Sequence, residues 1–263
     1  MAAYNAAHCI GQAIESVIRQ TYPNWELLVI NDGSTDQTEA VLRAFRDPRI
    51  RTFKQVNRGV SAARNLGLSH FTGEFFCFLD SDDLLPLDSI KSRVAVFRRR
   101  PEITFVDGYS EVFDLTKRKV TNVYKPWFRG KPIHELLKLS SSCFFGGTWM
   151  IRAIPGKEYK FDERLTHGED LDFLVSVADC GLYDFVPEKI LIYHKGSTST
   201  MRNLDGLSRC YMLLIEKWID SKIISNFQFI FLKIKIGKIM LLSYTSQGRV
   251  FKGLIEFFRF LTL

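Results

Sequence analysis

The chain has 263 residues, 46% hydrophobic and 25% charged, enough for one large domain or a domain with an appendage. Residues 1–20 lack the basic start and apolar core of a signal peptide. No 18-residue stretch is free of charge, so neither a leader nor a membrane span is expected. The net charge of +7 is uneven, because residues 205–263 hold nine Lys/Arg against four Asp/Glu, which leaves +2 for residues 1–204.

Apolar residues at Ile10, Ile14, Val17 and Ile18 have helical spacing. Glu26 to Asp32, ELLVIND, is a short apolar run of the buried-strand type. Thr35 to Phe45 and Ser61 to His70 read as helices, the first with Ser34 or Thr35 as its cap. Gly73 to Asp80 and Ile103 to Phe113 read as further strands. Helices between strands imply crossovers and a mostly parallel sheet, which binds ligands at the carboxyl ends of its strands. Residues 115–148 lose the pattern and are expected to be loops over one sheet face. A helix from Glu169 to about Cys180 and a strand from Asp184 to His194 follow, and after Arg202 the chain reads as helical. The five cysteines are odd in number and scattered, which favours reduced thiols in a cytoplasm over a disulfide framework or zinc site.

Three carboxylates close the run GEFFCFLDSDD: Asp80, Asp82 and Asp83. Like charges at that spacing repel unless something positive joins them. Carboxylate oxygens suit Mg2+ or Mn2+, which keeps waters and is completed by substrate phosphates. An acidic turn capping the next helix accounts for the same letters, so the D-x-D pattern needs its context.

That context is four blocks in order. They are Ala3 to Thr38 (AYNAAHCIGQAIESVIRQTYPNWELLVINDGSTDQT), Asn57 to Asp83 (NRGVSAARNLGLSHFTGEFFCFLDSDD), Phe161 to Phe173 (FDERLTHGEDLDF) and Tyr193 to Ser199 (YHKGSTS). Together they resemble the family 2 glycosyltransferases, whose fold is called GT-A. The resemblance spans roughly residues 3 to 200. It implies an α/β nucleotide-sugar-binding domain over 1–204, and a basic, amphipathic helical region follows over 205–263.

The resemblance also implies roles. Tyr4 and Asn5 line the nucleotide pocket, and Asp32 hydrogen-bonds the uracil ring. Arg64 contacts base or phosphate. Asp80, with Ser81 beside it, lies near the sugar and ribose, and Asp82 is the direct ligand of Mn2+ or Mg2+. Asp170 of the Glu169–Asp170 pair is the catalytic base, and His194 and Ser197 belong to a loop that closes near the diphosphate. The implied reaction is inverting transfer from a nucleotide sugar, UDP-linked by family habit, to a hydroxyl of a surface polysaccharide or lipid-linked glycan. A helix macrodipole would lower the pKa of Glu169 and Asp170, tolerable for a weak base acting in concert with the leaving group.

Two features depart from the family. The chain opens Met1-Ala2-Ala3-Tyr4-Asn5, so the usual first strand is expected to be missing and Ala2 stands where Pro is usual. Either the start lies downstream of the natural one, or the chain is an inactive nucleotide-binding homologue. Ile192 stands where an Arg often precedes the His. In the tail, KIISNFQFIFLKIKIGKIMLL and VFKGLIEFFRFLTL mix apolar residues with lysine. Such a region either lies on an anionic membrane surface or caps the catalytic domain. No nucleic-acid partner is expected.

Overall fold

The computed structural model describes residues 1–196 and 203–262. Its first part is a parallel sheet of β1 (Ala2–Ala3), β2 (Leu27–Asp32) and β3 (Ile50–Gln55) in that spatial order. Helices α1 (Ile10–Ile18) and α2 (Thr38–Ala44) make the crossovers, and α3 (Val60–Leu68) leads from β3 into the second part. Every residue of β2 is buried, as the unbroken apolar run requires when both faces of a parallel strand are covered. The first strand is not wholly missing: Ala2 and Ala3 pair in parallel with Ile30 and Asn31, and Ile30 N donates to Met1 O at 2.9 Å.

The second part holds β4 (Phe75–Phe76), α4 (Ser89–Arg99), β5 (Ile103–Asp114), β6 (Lys119–Tyr124), α5 (Ile133–Leu137), β7 (Met150–Arg152), α6 (Glu169–Val177) and β8 (Leu182–Lys195). Its sheet is mixed: β4-β7-β5-β6 in order, with β8 parallel to β5. The expected strand from Gly73 to Asp80 shortens to two residues, since Cys77 to Asp80 leave the ladder for the acidic turn. Residues 115–148, expected to be loops, contain β6 and α5. The outer strand β6 is mostly exposed, so it carries no apolar run to betray it.

One contact places the acidic turn. Leu84 N donates to Ile192 O at 3.1 Å and Ile192 N to Leu84 O at 2.8 Å, so the residues after Asp83 are pinned to β8.

Helices α7 (Leu204–Asp220), α8 (Asn226–Ser246) and α9 (Val250–Thr262) end the described chain. The largest core cluster runs through the expected boundary at 204 without a break. Phe76 and Phe105 from the sheet and Trp149 just before β7 share it with Leu207, Ile215 and Trp218 from α7 and with Ile236 and Met240 from α8.

Candidate active site

Three groups of side chains lie along the edge where β1, β2, β4 and β8 end. The first is the turn after β2. Gly33 has φ +72°, and a Cβ there would lie 2.6 Å from Asn57 N, so only glycine fits this close approach. Asn5, itself at φ +50°, donates its N–H to Ser34 Oγ at 3.0 Å and accepts from Thr35 N at 2.8 Å. Asp32 is buried, and its carboxylate accepts from Gln55 Nε2 at 2.7 Å, Arg58 N at 2.9 Å and Gly59 N at 2.8 Å. Of about four acceptor positions on that carboxylate, two therefore hold the loop entering α3 and a third holds the end of β3. Tyr4 is exposed beside this turn.

The second group centres on Arg64, whose side chain is 9% exposed. It donates to Asp80 Oδ1 at 2.9 Å and to Glu169 Oε1 at 3.0 Å, over the rings of Phe161 and Phe78. Burial works against its charge, and Asp80, Glu169 and Asp170 outweigh burial. Helix α6 starts at Gly168, in the left-handed region, without a side-chain cap, so its first turn is given over to acids. Glu169 turns to Arg64. Asp170 Oδ1 accepts from Leu171 N at 2.8 Å, and Oδ2 would lie 3.3 Å from a Cβ at Gly146. The expected lowering of its pKa by the helix does not hold. Burial, then the charge of Glu169, push the Asp170 carboxyl up to about 6 against the pull of Arg64.

The third group is the acidic turn against β8. His194 N donates to Asp83 Oδ1 at 2.9 Å, and His194 Nδ1 lies 2.6 Å from Asp82 O, so the histidine braces the turn. Burial and then Asp80 raise the Asp82 carboxyl above the ordinary carboxylate range. The same two causes push buried Asp83 up to about 8. The turn thus gathers three acids, of which Asp80 is paired with Arg64.

Among the described residues no three His, Cys, Asp or Glu side chains form a metal cage. That donor set fits a hard cation taking one or two carboxylates here and its remaining ligands from phosphate and water. It does not fit a structural zinc.

Arg64, Asp80, Glu169 and Asp170 are thus joined in one network. Asp82, Ser81 and His194 adjoin it through the turn, while Tyr4, Asn5 and Asp32 form the separate corner after β2. Arg64 meets carboxylates on both sides where the resemblance implied a base or phosphate. Ser197 lies outside the described residues. Sequence reasoning passed over Tyr211 of α7, whose hydroxyl is pushed up to about 12 by burial and the nearby Asp170. It also passed over Gly146, which faces that carboxylate. Neither belongs to a motif, and no signal in the sequence singles them out.

The family model "Glycosyl transferase family 2" matches residues 1–157. A glycosyltransferase of Haemophilus influenzae is 31% identical over 215 residues, 76% of this chain and 66% of that one. A UDP-Glc:alpha-D-GlcNAc-diphosphoundecaprenol beta-1,3-glucosyltransferase of Escherichia coli is 37% identical over 115 residues, 43% of this chain and 45% of that one. The chain thus spans less than two thirds of these relatives' length. Among solved structures, S. aureus TarS 1–349 in complex with UDP-GlcNAc aligns with a TM-score of 0.72 at 17% identity, covering 99% of this chain and 80% of that one. This likeness shows the GT-A arrangement.

Proposed function

The chain belongs to glycosyl transferase family 2, and from that premise we propose that it moves a sugar from a nucleotide donor, UDP-linked, to a hydroxyl of a lipid-linked or polysaccharide acceptor, with inversion. The observation that carries the reading is the division of labour within Glu169–Asp170. Arg64 holds Glu169 in an ion pair, and Asp170 stands beside it with a raised pKa against Gly146. A carboxylate tuned toward neutral pH suits a general base. TarS was solved with UDP-GlcNAc and the E. coli relative is named for UDP-Glc, which supports a UDP donor.

Asp170 accepts the proton of the acceptor hydroxyl as that oxygen bonds to the anomeric carbon. The bond from that carbon to the diphosphate oxygen breaks, its electron pair leaves with UDP, and one displacement inverts the centre. Asp80, held by Arg64, faces the sugar, and His194 fixes the turn that carries Asp82. Asp82 would hold Mn2+ or Mg2+, which supplies charge neutralisation on the diphosphate. Asn5 and Asp32 shape the corner that receives the base.

The test is UDP release from UDP-glucose and UDP-N-acetylglucosamine, with and without a diphosphate-lipid-linked glycan, by the parent and by Asp170→Asn. Acceptor-dependent release by the parent, lost in the variant, is expected. No release from either donor, with UDP still bound, would leave a nucleotide-binding homologue without turnover.

A further inference from the structure

Helix α9 is turned the wrong way for a helix that merely caps a domain. Its inward side presents Gly253, Glu256 and Phe260, all buried. Glu256 Oε2 accepts from Ser208 Oγ of α7 at 2.5 Å, and Lys252 Nζ lies 3.2 Å from its Oε1. Its outward side presents Phe251, Leu254, Ile255, Phe258 and Leu261, a row at helical spacing, with Phe251 85% and Ile255 61% exposed. A surface helix of a soluble domain puts its apolar stripe inward. Here a carboxylate takes the inner side and the stripe is left outside.

The antiparallel neighbour repeats the pattern. On α8, Leu232, Ile236, Met240 and Tyr244 point into the core, while Phe227, Ile230, Phe231 and Ile234 are exposed at i, i+3, i+4 and i+7. The two helices pack closely, since a Cβ at Gly237 would lie 3.0 Å from the Phe257 ring and one at Gly253 3.0 Å from Leu241 O. The hairpin thus carries two outward rows of exposed apolar side chains, and clustered apolar exposure of this kind marks an interaction surface.

Charge decides what fits it. Residues 221–263 hold seven Lys/Arg and one acid, and that acid is the buried Glu256. Lys233, Lys235 and Lys238 interleave with the α8 row, and Arg249 and Arg259 flank the α9 row. A second copy meeting this face would set like charges against each other. An anionic bilayer takes both the aromatic rows and the cations. No helix among the described residues is long and apolar enough to cross a membrane, so the contact is interfacial.

We propose that the outward face of the α8–α9 hairpin docks on an anionic phospholipid surface, the phenylalanines entering the headgroup boundary and the lysines meeting lipid phosphates. Helix α7 then joins this face to the site, with Ser208 holding α9 and Tyr211 standing near Asp170. The docking face stands on its own geometry. Its purpose, bringing a lipid-linked acceptor to Asp170, rests on the glycosyltransferase reading.

The test is sedimentation of the full chain with phosphatidylglycerol–phosphatidylcholine vesicles and with phosphatidylcholine alone. Pelleting with the anionic vesicles only, weakened by salt, is expected. Each lysine near an anionic surface is worth about fivefold in partitioning, so Lys233→Gln, Lys235→Gln and Lys238→Gln together should lower it on the order of a hundredfold. Phe251→Ser, Ile255→Ser and Phe258→Ser together should abolish pelleting. UDP titration of each variant reports whether the fold and donor site survive, so failure of docking is separable from failure of the glycosyltransferase reading. A parent that stays in the supernatant with both vesicles overturns the proposal. So does pelleting that neither variant changes. A dimer in light scattering that Phe258→Glu dissociates, without vesicle binding by the parent, would give the face to a second copy.

Discussion

At the scale of single residues, the proposed chemistry rests on Asp170 and Arg64. The native Asp170 carboxyl sits at about 6 rather than the ordinary 3.8, so it must lose its proton to act as base. The kcat/KM should therefore climb about tenfold per unit as pH rises toward about 6 and level off above it. Asp170→Asn should cost about 10²–10⁴ in kcat, and a smaller loss would remove Asp170 from that role. The same shift has a stability consequence. A folded pKa above the unfolded one means the native state binds the proton more tightly. Its contribution is present below 3.8 and is lost as pH rises through about 6. Melting scans of Asp170→Asn should thus show its Tm gaining on the parent's between about pH 4 and about pH 8. Arg64 holds that pKa down, so Arg64→Gln should move the rising limb of the pH–rate profile upward. An unmoved limb would mean that Arg64 does not act on the base.

At the scale of elements, α6 depends on α7. Buried Asp172 accepts from Trp218 Nε1 at 3.0 Å and from Lys217 Nζ at 2.6 Å, and Lys217 also reaches Asp162 Oδ2 at 3.1 Å. Trp218→Phe keeps the ring but takes away one donor to a buried carboxylate, which costs about 1–3 kcal/mol. Urea unfolding measures that loss, and an unchanged midpoint would deny α7 its part in fixing the helix that carries Asp170. These elements differed in how plainly their residues announced them. Strand β2 and helix α6 carry uninterrupted apolar patterns and read directly from the letters. Strand β6 does not, because its residues Lys119 to Asn122 are exposed and its partner is β5, brought near by tertiary structure. The end of β4 was misread because Phe78 and Leu79 pack apolar surface while outside the ladder, and burial alone does not make a strand.

Across the whole molecule, the net charge is uneven. The acidic turn and the Glu169–Asp170 pair lie at strand and helix ends of the sheet domain, while the cationic surplus sits on the α8–α9 hairpin. The candidate site was legible where a motif puts its residues within one turn, as for Asp80 to Asp83 and Glu169–Asp170. Arg64's two carboxylate bonds, Tyr211 and Gly146 were not, since each depends on segments distant in sequence that packing brings together. The amphipathic character of the tail was also legible. Its direction was not, because only the burial of Glu256 against Ser208 shows which side of α9 faces out. The central claim is that the acidic turn and the corner after β2 together hold a nucleotide diphosphate. Calorimetric titration of UDP into the parent and into Asp82→Asn, each with Mn2+ and again with EDTA, tests it most directly. Binding by the parent in Mn2+ alone, lost in the variant, is the predicted result; no binding by the parent with the metal present would contradict it.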